Sequence, residues 1–315
     1  MLTHSPELPT QPAANADKTL TGIVHTPVRH FPTYGLLTLQ LPAMQMADLA
    51  AGRYFLVRCG AQSEFERLHQ WHFYTRQPLF AAGIQTLIAP PADHADSAPS
   101  APTELWTLHL PFDPGQRKTT NPAFQWLQSL QPGAALNLIG PSGQGFGLYP
   151  HSRRLLLVAN AWHIPTLFTL IEPMLDLGGH VTLLVDASPS PHVPIDSADM
   201  VDAADVVTAL IPQLPIAVEA HVSVNPAEFE QELSNAIPWA DQICAALSPH
   251  QHQALADQIR KHRFRLESGF AQVLMQTDLL CGVGACLACV VSLPSGSHTR
   301  TCMHGPVMDL TRLAQ

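Results

Sequence analysis

Two hydrophobic rhythms divide the chain. From Leu20 to about Gly140 apolar and polar residues alternate with period two. Leu37, Leu39 and Leu41 share one face of Gly35–Leu41, and Trp106, Leu108 and Leu110 share one face of Leu105–Leu110, the signature of half-buried strands. Arg53–Arg58 and Ala135–Ile139 add two more strands, with Pro- and Gly-containing turns between them. The first helical stretch runs from Pro122 to Leu130. This pattern predicts an antiparallel barrel or sandwich over residues 18–150.

At Arg153 the pattern changes. Leu155-Leu156-Leu157-Val158-Ala159 is an unbroken apolar run of the kind buried on both faces of a parallel sheet, and a helical stretch from Pro165 to Leu177 follows, stopped at Gly178-Gly179. Val181–Asp186, Ile216–Val222 and Gln242–Ala246 read as strands, and Pro226–Ala236 and Pro249–Lys261 as helices. Residues 151–263 are thus predicted to form a doubly wound α/β domain. A small cysteine-bearing lobe is expected over 264–315. Three units suit a chain of 315 residues, which is long for one core.

Composition narrows the partners. Hydrophobic residues make up 46% and charged residues only 13%, with a formal net charge of −9, so no basic footprint for nucleic acid is present. The most apolar stretch, Leu155–Ile171, contains Asn160, His163 and Pro165, which suits a buried strand and helix better than a membrane span. Residues 1–17, rich in Pro, Ala and Thr without a basic start or apolar core, are expected to be a disordered lead-in rather than a secretion signal. The segment 90–102, with four prolines, reads as a mobile loop insertion. A cytoplasmic chain is expected. Six cysteines, four of them in one constellation with Cys59 and Cys244 isolated, agree with a reducing compartment.

That constellation carries the chemistry. Cys281, Cys286 and Cys289 stand at C-x4-C-x2-C and Cys302 follows after twelve intervening residues, the plant-type spacing for a [2Fe-2S] cluster. Three sulfurs within nine residues can face one centre only if the backbone curls tightly; Gly282 and Gly284 permit the positive φ this needs. Such a curl frees backbone N–H groups to point at the sulfurs. Val290–Leu293 and the turn Pro294–Ser297 bring the chain back to Cys302. A zinc site is the competing reading, but it usually shows two short knuckles. A thioredoxin-like Cys286-x-x-Cys289 would need a βαβ setting that this short tail lacks.

The order of barrel, α/β domain and C-terminal cluster loop resembles the ferredoxin reductase superfamily, and more narrowly the iron–sulfur electron-transfer subunit family of the two-subunit dihydroorotate dehydrogenase. Carrying the likeness are Cys281–Cys289, Cys302-Met303-His304-Gly305-Pro306-Val307 and Gly140-Pro141-Ser142-Gly143-Gln144-Gly145-Phe146. The resemblance implies FAD in the barrel, NAD(P)H at the α/β domain, a place in pyrimidine biosynthesis and a partner oxidoreductase subunit. It further implies flavin-region roles for Arg76, Gly140, Gly143, Gly145 and Phe146, and a nicotinamide-side role for Cys244. Related flavin subunits of sulfhydrogenases and electron-bifurcating transhydrogenases share the layout, so the likeness leaves the partner open.

Departures from the family pattern are concentrated at the organic cofactors. Tyr74-Thr75-Arg76-Gln77-Pro78-Leu79-Phe80 offers the arginine of the flavin motif without its hydroxyl residue. The glycine run of the first α/β turn is replaced by Val158-Ala159-Asn160-Ala161-Trp162-His163, whose side chains would project where phosphates should lie. Cys244-Ala245-Ala246 keeps only the cysteine of the family's Cys-Gly-Pro, and Asp186 at a strand end is a weak ribose-binding signal. NAD(P)H is therefore the doubtful cofactor. The reading is an oxidoreductase subunit, rather than a stand-alone enzyme, passing electrons between FAD and a [2Fe-2S] cluster and on to or from its partner. The alternative is an iron–sulfur adaptor or redox-sensing subunit that has lost nicotinamide, and even flavin, binding. His304, where the family commonly has an acid, is a protonatable neighbour of the cluster.

Overall fold

The computed structural model describes residues 11–15, 18–44, 50–60, 71–87, 102–113, 119–188 and 201–314. The proposed loop insertion at 90–102 lies almost wholly outside them. Of the lead-in, Ala13–Ala14 (β1) is a short strand paired with Leu20–Thr21, and Asn15 bonds the Thr19 and Thr21 hydroxyls, so this part is ordered where the sequence suggested disorder.

The first half follows its period-two pattern. Strands β2 (Leu20–Val24), β3 (Arg29–His30), β4 (Tyr34–Pro42), β5 (Tyr54–Val57), β6 (Gln77–Leu87), β7 (Thr103–Pro111) and β8 (Ala135–Ser142) are all antiparallel. Six of them run β2-β8-β5-β6-β7-β4, and β4 pairs back onto β2 to close a barrel. Leu37, Leu39, Leu41, Trp106, Leu108 and Leu110 fill its interior, as their alternation requires. On β5 the alternation does two jobs. Phe55 and Val57 enter the barrel, whereas Tyr54 and Leu56 leave it for a second cluster outside.

The second half is a parallel sheet with one antiparallel edge. Strands β9 (Arg154–Asn160), β10 (His180–Asp186), β11 (Val218–Ser223), β12 (Gln242–Ala246), β13 (Ala271–Leu274) and β16 (Val307–Asp309) lie in the order β11-β10-β9-β12-β13-β16. The apolar run of β9 explains its central place: Leu155, Leu157 and Ala159 face one core and Leu156 and Val158 the other. Each core is covered by helices, Ile171–Asp176 and Ala203–Leu210 on one side, Pro226–Ala236 and His252–Arg263 on the other.

The sheet redraws one boundary. Residues 264–315 do not form a separate lobe, because β13 and β16 belong to the α/β sheet. The cysteine segment is an insertion between them, carrying only the hairpin β14 (Val290–Ser292) and β15 (His298–Arg300) and a short helix, Thr301–His304. Both ends of the insertion are therefore anchored in one sheet.

Candidate iron–sulfur centre

The insertion curls as its glycines suggested. Gly282 and Gly284 have φ of +69° and +74°, and Leu287 follows at +59°. There is no room for side chains at either glycine, since an added Cβ at 282 would lie 2.9 Å from Leu56 Cδ1 and one at 284 would lie 2.9 Å from Met303 Cγ. Arg300 Nη1 donates to the Gly284 carbonyl at 2.9 Å, clamping the loop from the hairpin. Thr301 donates its N–H to Cys289 O at 3.0 Å, and its hydroxyl lies 2.6 Å from that of Thr277. These bonds bring Cys302 back beside Cys289.

The free thiols influence one another in two pairs, Cys286 acting on Cys281 and Cys289 on Cys302. Among the described residues no three His, Cys, Asp or Glu side chains converge as a site for a single metal ion. Two pairs suit two irons that each take two thiolates, and the donor set is the all-cysteine one such clusters use. Burial would push the Cys281 thiol up, but the N–H groups of Cys286, Val283 and Ala285 aim at its sulfur and hold it down at about 6. Burial, then the neighbouring Cys289, pushes Cys302 up to about 11, against the pull of the Gly284 N–H. A loop lined with N–H groups stabilises sulfur-borne negative charge.

The pairs differ in exposure. Cys289 and Cys302 are buried, Cys281 is half-buried and Cys286 is exposed, as are Val283, Leu287 and Met303 of the same insertion. The buried pair sits on the barrel, in one apolar cluster with Tyr54, Leu56 and Leu279, against which Phe80 packs. Tyr54 is fully buried and its hydroxyl has no hydrogen-bond partner, an arrangement that costs roughly 1–3 kcal/mol. Burial first, then the charges of Cys302, Cys289 and Cys281, raises its pKa well above the ordinary phenol value.

The turn Gly140–Phe146 ties the barrel to this centre. Gln144 donates its N–H to Gly305 O at 2.6 Å and accepts from Val307 N at 3.2 Å, while Phe146 N bonds Ala51 O. Gly140 and Gly143 lie directly against Tyr54, and Phe146 is buried in the α/β core. Gly145 lines a cleft of about 1040 Å³ beside Gln272 and Asp309, at the amino-terminal edge of the sheet. Arg76 donates to the backbone carbonyls of Leu56 and Asn137 and to the Asn137 side chain, cross-linking β5 and β8.

The carboxyl-terminal ends of the sheet strands, where open α/β sheets take nucleotides, are closed by the protein's own polar groups. Asp186 accepts from Gln251 Nε2 at 2.8 Å, Ser188 N at 2.9 Å and Asn160 Nδ2 at 3.3 Å, and Asn160 Oδ1 accepts from Ser248 N at 2.7 Å. Trp162 is buried in the core rather than projecting, Thr33 on the barrel bonds Ala161 O at 2.9 Å, and the His163 ring packs on His109 at 5.8 Å. Cys244 is wholly buried among Leu157 and its neighbours, and burial pushes its thiol pKa up. His304 is exposed, its Nδ1 3.3 Å from Thr299 Oγ1. Tyr54 and Arg300 are functional neighbours that the sequence reading did not name; for Tyr54 the signal was an outward position on a strand whose alternate residues fill the barrel.

Closed barrel and α/β sheet together make a ferredoxin-reductase-like fold, with the four-cysteine loop inserted at its carboxyl-terminal end. Residues 277–314 match the iron–sulfur cluster binding domain of dihydroorotate dehydrogenase B, the segment that holds the cysteine motif. In fold, the chain is similar to a structure described as giving insights into flavin-based electron bifurcation, the NADH-dependent reduced ferredoxin-NADP oxidoreductase, at a TM-score of 0.60 with 15% identity, over 92% of this chain and 88% of that one. Phthalate dioxygenase reductase, a modular structure for electron transfer from pyridine nucleotides to [2Fe-2S], aligns at a TM-score of 0.49 with 14% identity, over 90% of this chain and 76% of its own. The fold assignment rests on the first. Among the described residues no helix is long and apolar enough to cross a membrane.

Proposed function

We propose that this chain is the electron-transfer subunit of a two-component oxidoreductase, passing electrons between FAD and a [2Fe-2S] cluster held by Cys281, Cys286, Cys289 and Cys302, and on to or from a dihydroorotate dehydrogenase-like partner. The observation that carries the reading is the pairing of four sulfurs in an N–H-lined loop, with one pair seated on the barrel and the other at the surface. When bound, the cluster supplies one-electron exchange at roughly −400 mV for a plant-type site, and the flavin supplies exchange of electron pairs. The residues of the chain do the holding. Gly282 and Gly284 shape the loop, Arg300 and Thr301 fix it, and exposed Val283, Leu287 and Met303 offer an apolar rim where a partner would dock.

The two organic cofactors stand differently. FAD is supported by the ferredoxin-reductase-like fold, whose compared structure is described in terms of flavin-based electron bifurcation. Gly140, Gly143, Gly145 and Phe146 belong to that reading as the turn joining flavin-type barrel and cluster. Arg76 joins it only if its present bonds to Leu56 and Asn137 are exchanged for a phosphate. NAD(P)H is the doubtful cofactor: Asp186, Asn160 and Gln251 bond one another at the strand ends, Trp162 is buried in the core, and Cys244 is a core thiol. The same arrangement favours the second reading, an iron–sulfur adaptor that keeps the α/β domain as scaffold. Anaerobic purification separates the two. Cluster absorption with FAD released on denaturation supports the electron-transfer subunit, cluster absorption alone supports the adaptor, and a colourless zinc protein defeats both.

A further inference from the structure

The outer face of β5 presents to the cysteine loop a side chain whose polar end has nothing to bond. Tyr54 is fully buried, packed with Leu56, Leu279, Cys289 and Cys302, and its ring is wedged between the Gly140–Phe146 turn and the first cysteine's loop. A Cβ added at Gly143 would lie 2.8 Å from Tyr54 Cε1, and one added at Gly282 would lie 3.7 Å from the Tyr54 hydroxyl. The hydroxyl end of the ring therefore faces the loop between Cys281 and Cys286. No described atom accepts its proton. Phenylalanine would fill the same space without burying an unpaired hydroxyl, so the position is built for an acceptor that arrives with something else. Sulfur carrying negative charge is the acceptor this pocket gathers: Cys281, Cys289 and Cys302 all act electrostatically on the hydroxyl.

We propose that the Tyr54 hydroxyl donates a hydrogen bond to a sulfur of the bound cluster, a ligand thiolate or a bridging sulfide, and so raises the cluster's reduction potential. The direction follows from charge. The reduced cluster carries one more negative charge than the oxidised one, so a donor stabilises it more and reduction becomes easier. Tyr54 is a positioning and tuning residue here, and its contribution is distinct from that of the ligands. The inference rests on the [2Fe-2S] reading of the four cysteines.

The test compares wild type with Tyr54→Phe, both reconstituted anaerobically with iron and sulfide. Readouts are iron and acid-labile sulfide content, the potential from a mediated titration followed by electron paramagnetic resonance, and the deuterium sensitivity of the Fe–S stretching bands. The proposal expects equal iron content, a lower potential with on the order of fivefold less reduced cluster at a fixed poise, and loss of a deuterium shift that wild type shows. Thermal unfolding of the cluster-free proteins is the second measurement: Tyr54→Phe should be at least as stable as wild type there, and less stable than wild type once both are loaded. Unchanged potential with unchanged deuterium shifts overturns the proposal. So does a cluster-free variant that is less stable than cluster-free wild type, because the hydroxyl would then have a partner within the protein. A folded variant that takes up no iron where wild type does overturns the proposal, because the hydroxyl would then be needed for assembly rather than for tuning. Wild type that takes up no iron and sulfide overturns the cluster reading itself, and this inference with it.

Discussion

Gly143→Ala tests whether the turn joining barrel and cluster insertion is a packed strut. Gly143 has φ of +83°, where a Cβ costs roughly 1–2 kcal/mol. The added carbon would also lie 2.5 Å from Pro306 Cδ, 2.8 Å from Tyr54 Cε1 and 3.1 Å from Gly305 O. None of these can step aside: one belongs to a proline ring, one to a wedged tyrosine and one to backbone. Overpacking of this kind adds about 1–3 kcal/mol, for about 2–5 kcal/mol in all. Gly133→Ala supplies the control, since Gly133 has φ of +88° with nothing within 4 Å of an added Cβ. Urea unfolding of both variants, followed by circular dichroism, separates backbone strain from contact. The expected result is that Gly143→Ala is the more destabilised by about 1–3 kcal/mol and releases its cluster faster, because Gln144 beside it bonds Gly305 at the end of the insertion and Val307 at the start of β16. Equal destabilisation of the two variants would refute the strut.

Further outcomes follow from the same geometry. Arg300→Met removes the 2.9 Å bond to Gly284 O; the protein should fold yet lose cluster several-fold faster, measured as the decay of visible absorption, and an unchanged decay would show that the clamp is idle. In the cluster-free protein Cys281, held at about 6 against an ordinary 9.0, should alkylate before Cys302, held near 11, when mass spectrometry follows labelling at neutral pH. The lowered Cys281 value contributes stability that is full above about pH 9 and lost as pH falls towards 6, whereas the raised Cys302 value contributes stability that is full below about pH 9 and lost as pH rises through 11. His109, wholly buried, is held by desolvation first and His163 second at about 3, below its ordinary 6.5. Stability from this group is present above pH 6.5 and lost as pH falls towards 3, so His109→Leu should move acid unfolding to lower pH; no movement would remove the buried ring as a cause. NADH or NADPH should fail to reduce the protein, since Asp186, Asn160 and Gln251 close the crevice; rapid bleaching of flavin or cluster would overturn that closure.

The cysteine centre was legible because chemistry fixed its spacing. Four ligands and two glycines leave few ways to fold, and Gly282 and Gly284 adopt the positive φ their positions implied. The barrel and sheet were legible for a similar reason: Leu37, Leu39 and Leu41 alternate because one face is buried, and Leu155–Ala159 does not because both are. Less was readable where a short element borrows its identity from neighbours. Ala271–Leu274 is four residues long and becomes a sheet strand only beside β12, so the domain boundary moved. The helix Ala203–Leu210 went unread although Asp202 caps it and Val206 and Leu210 share a face. Side-chain destinations across the chain were hidden altogether. Trp162 reads as a projection over a phosphate turn, yet the barrel contact at Ala161 lets it fold into the core. The Tyr54 hydroxyl is invisible as a feature until the turn and the insertion close around it.

Iron and acid-labile sulfide per chain, measured on anaerobically reconstituted protein alongside Cys286→Ser, test the central claim most directly. The account predicts about two irons and two sulfides per wild-type chain, a paramagnetic signal on one-electron reduction, and loss of both in the variant while barrel and sheet stay folded. One zinc per chain without labile sulfide, or a cluster signal that survives Cys286→Ser, would contradict it.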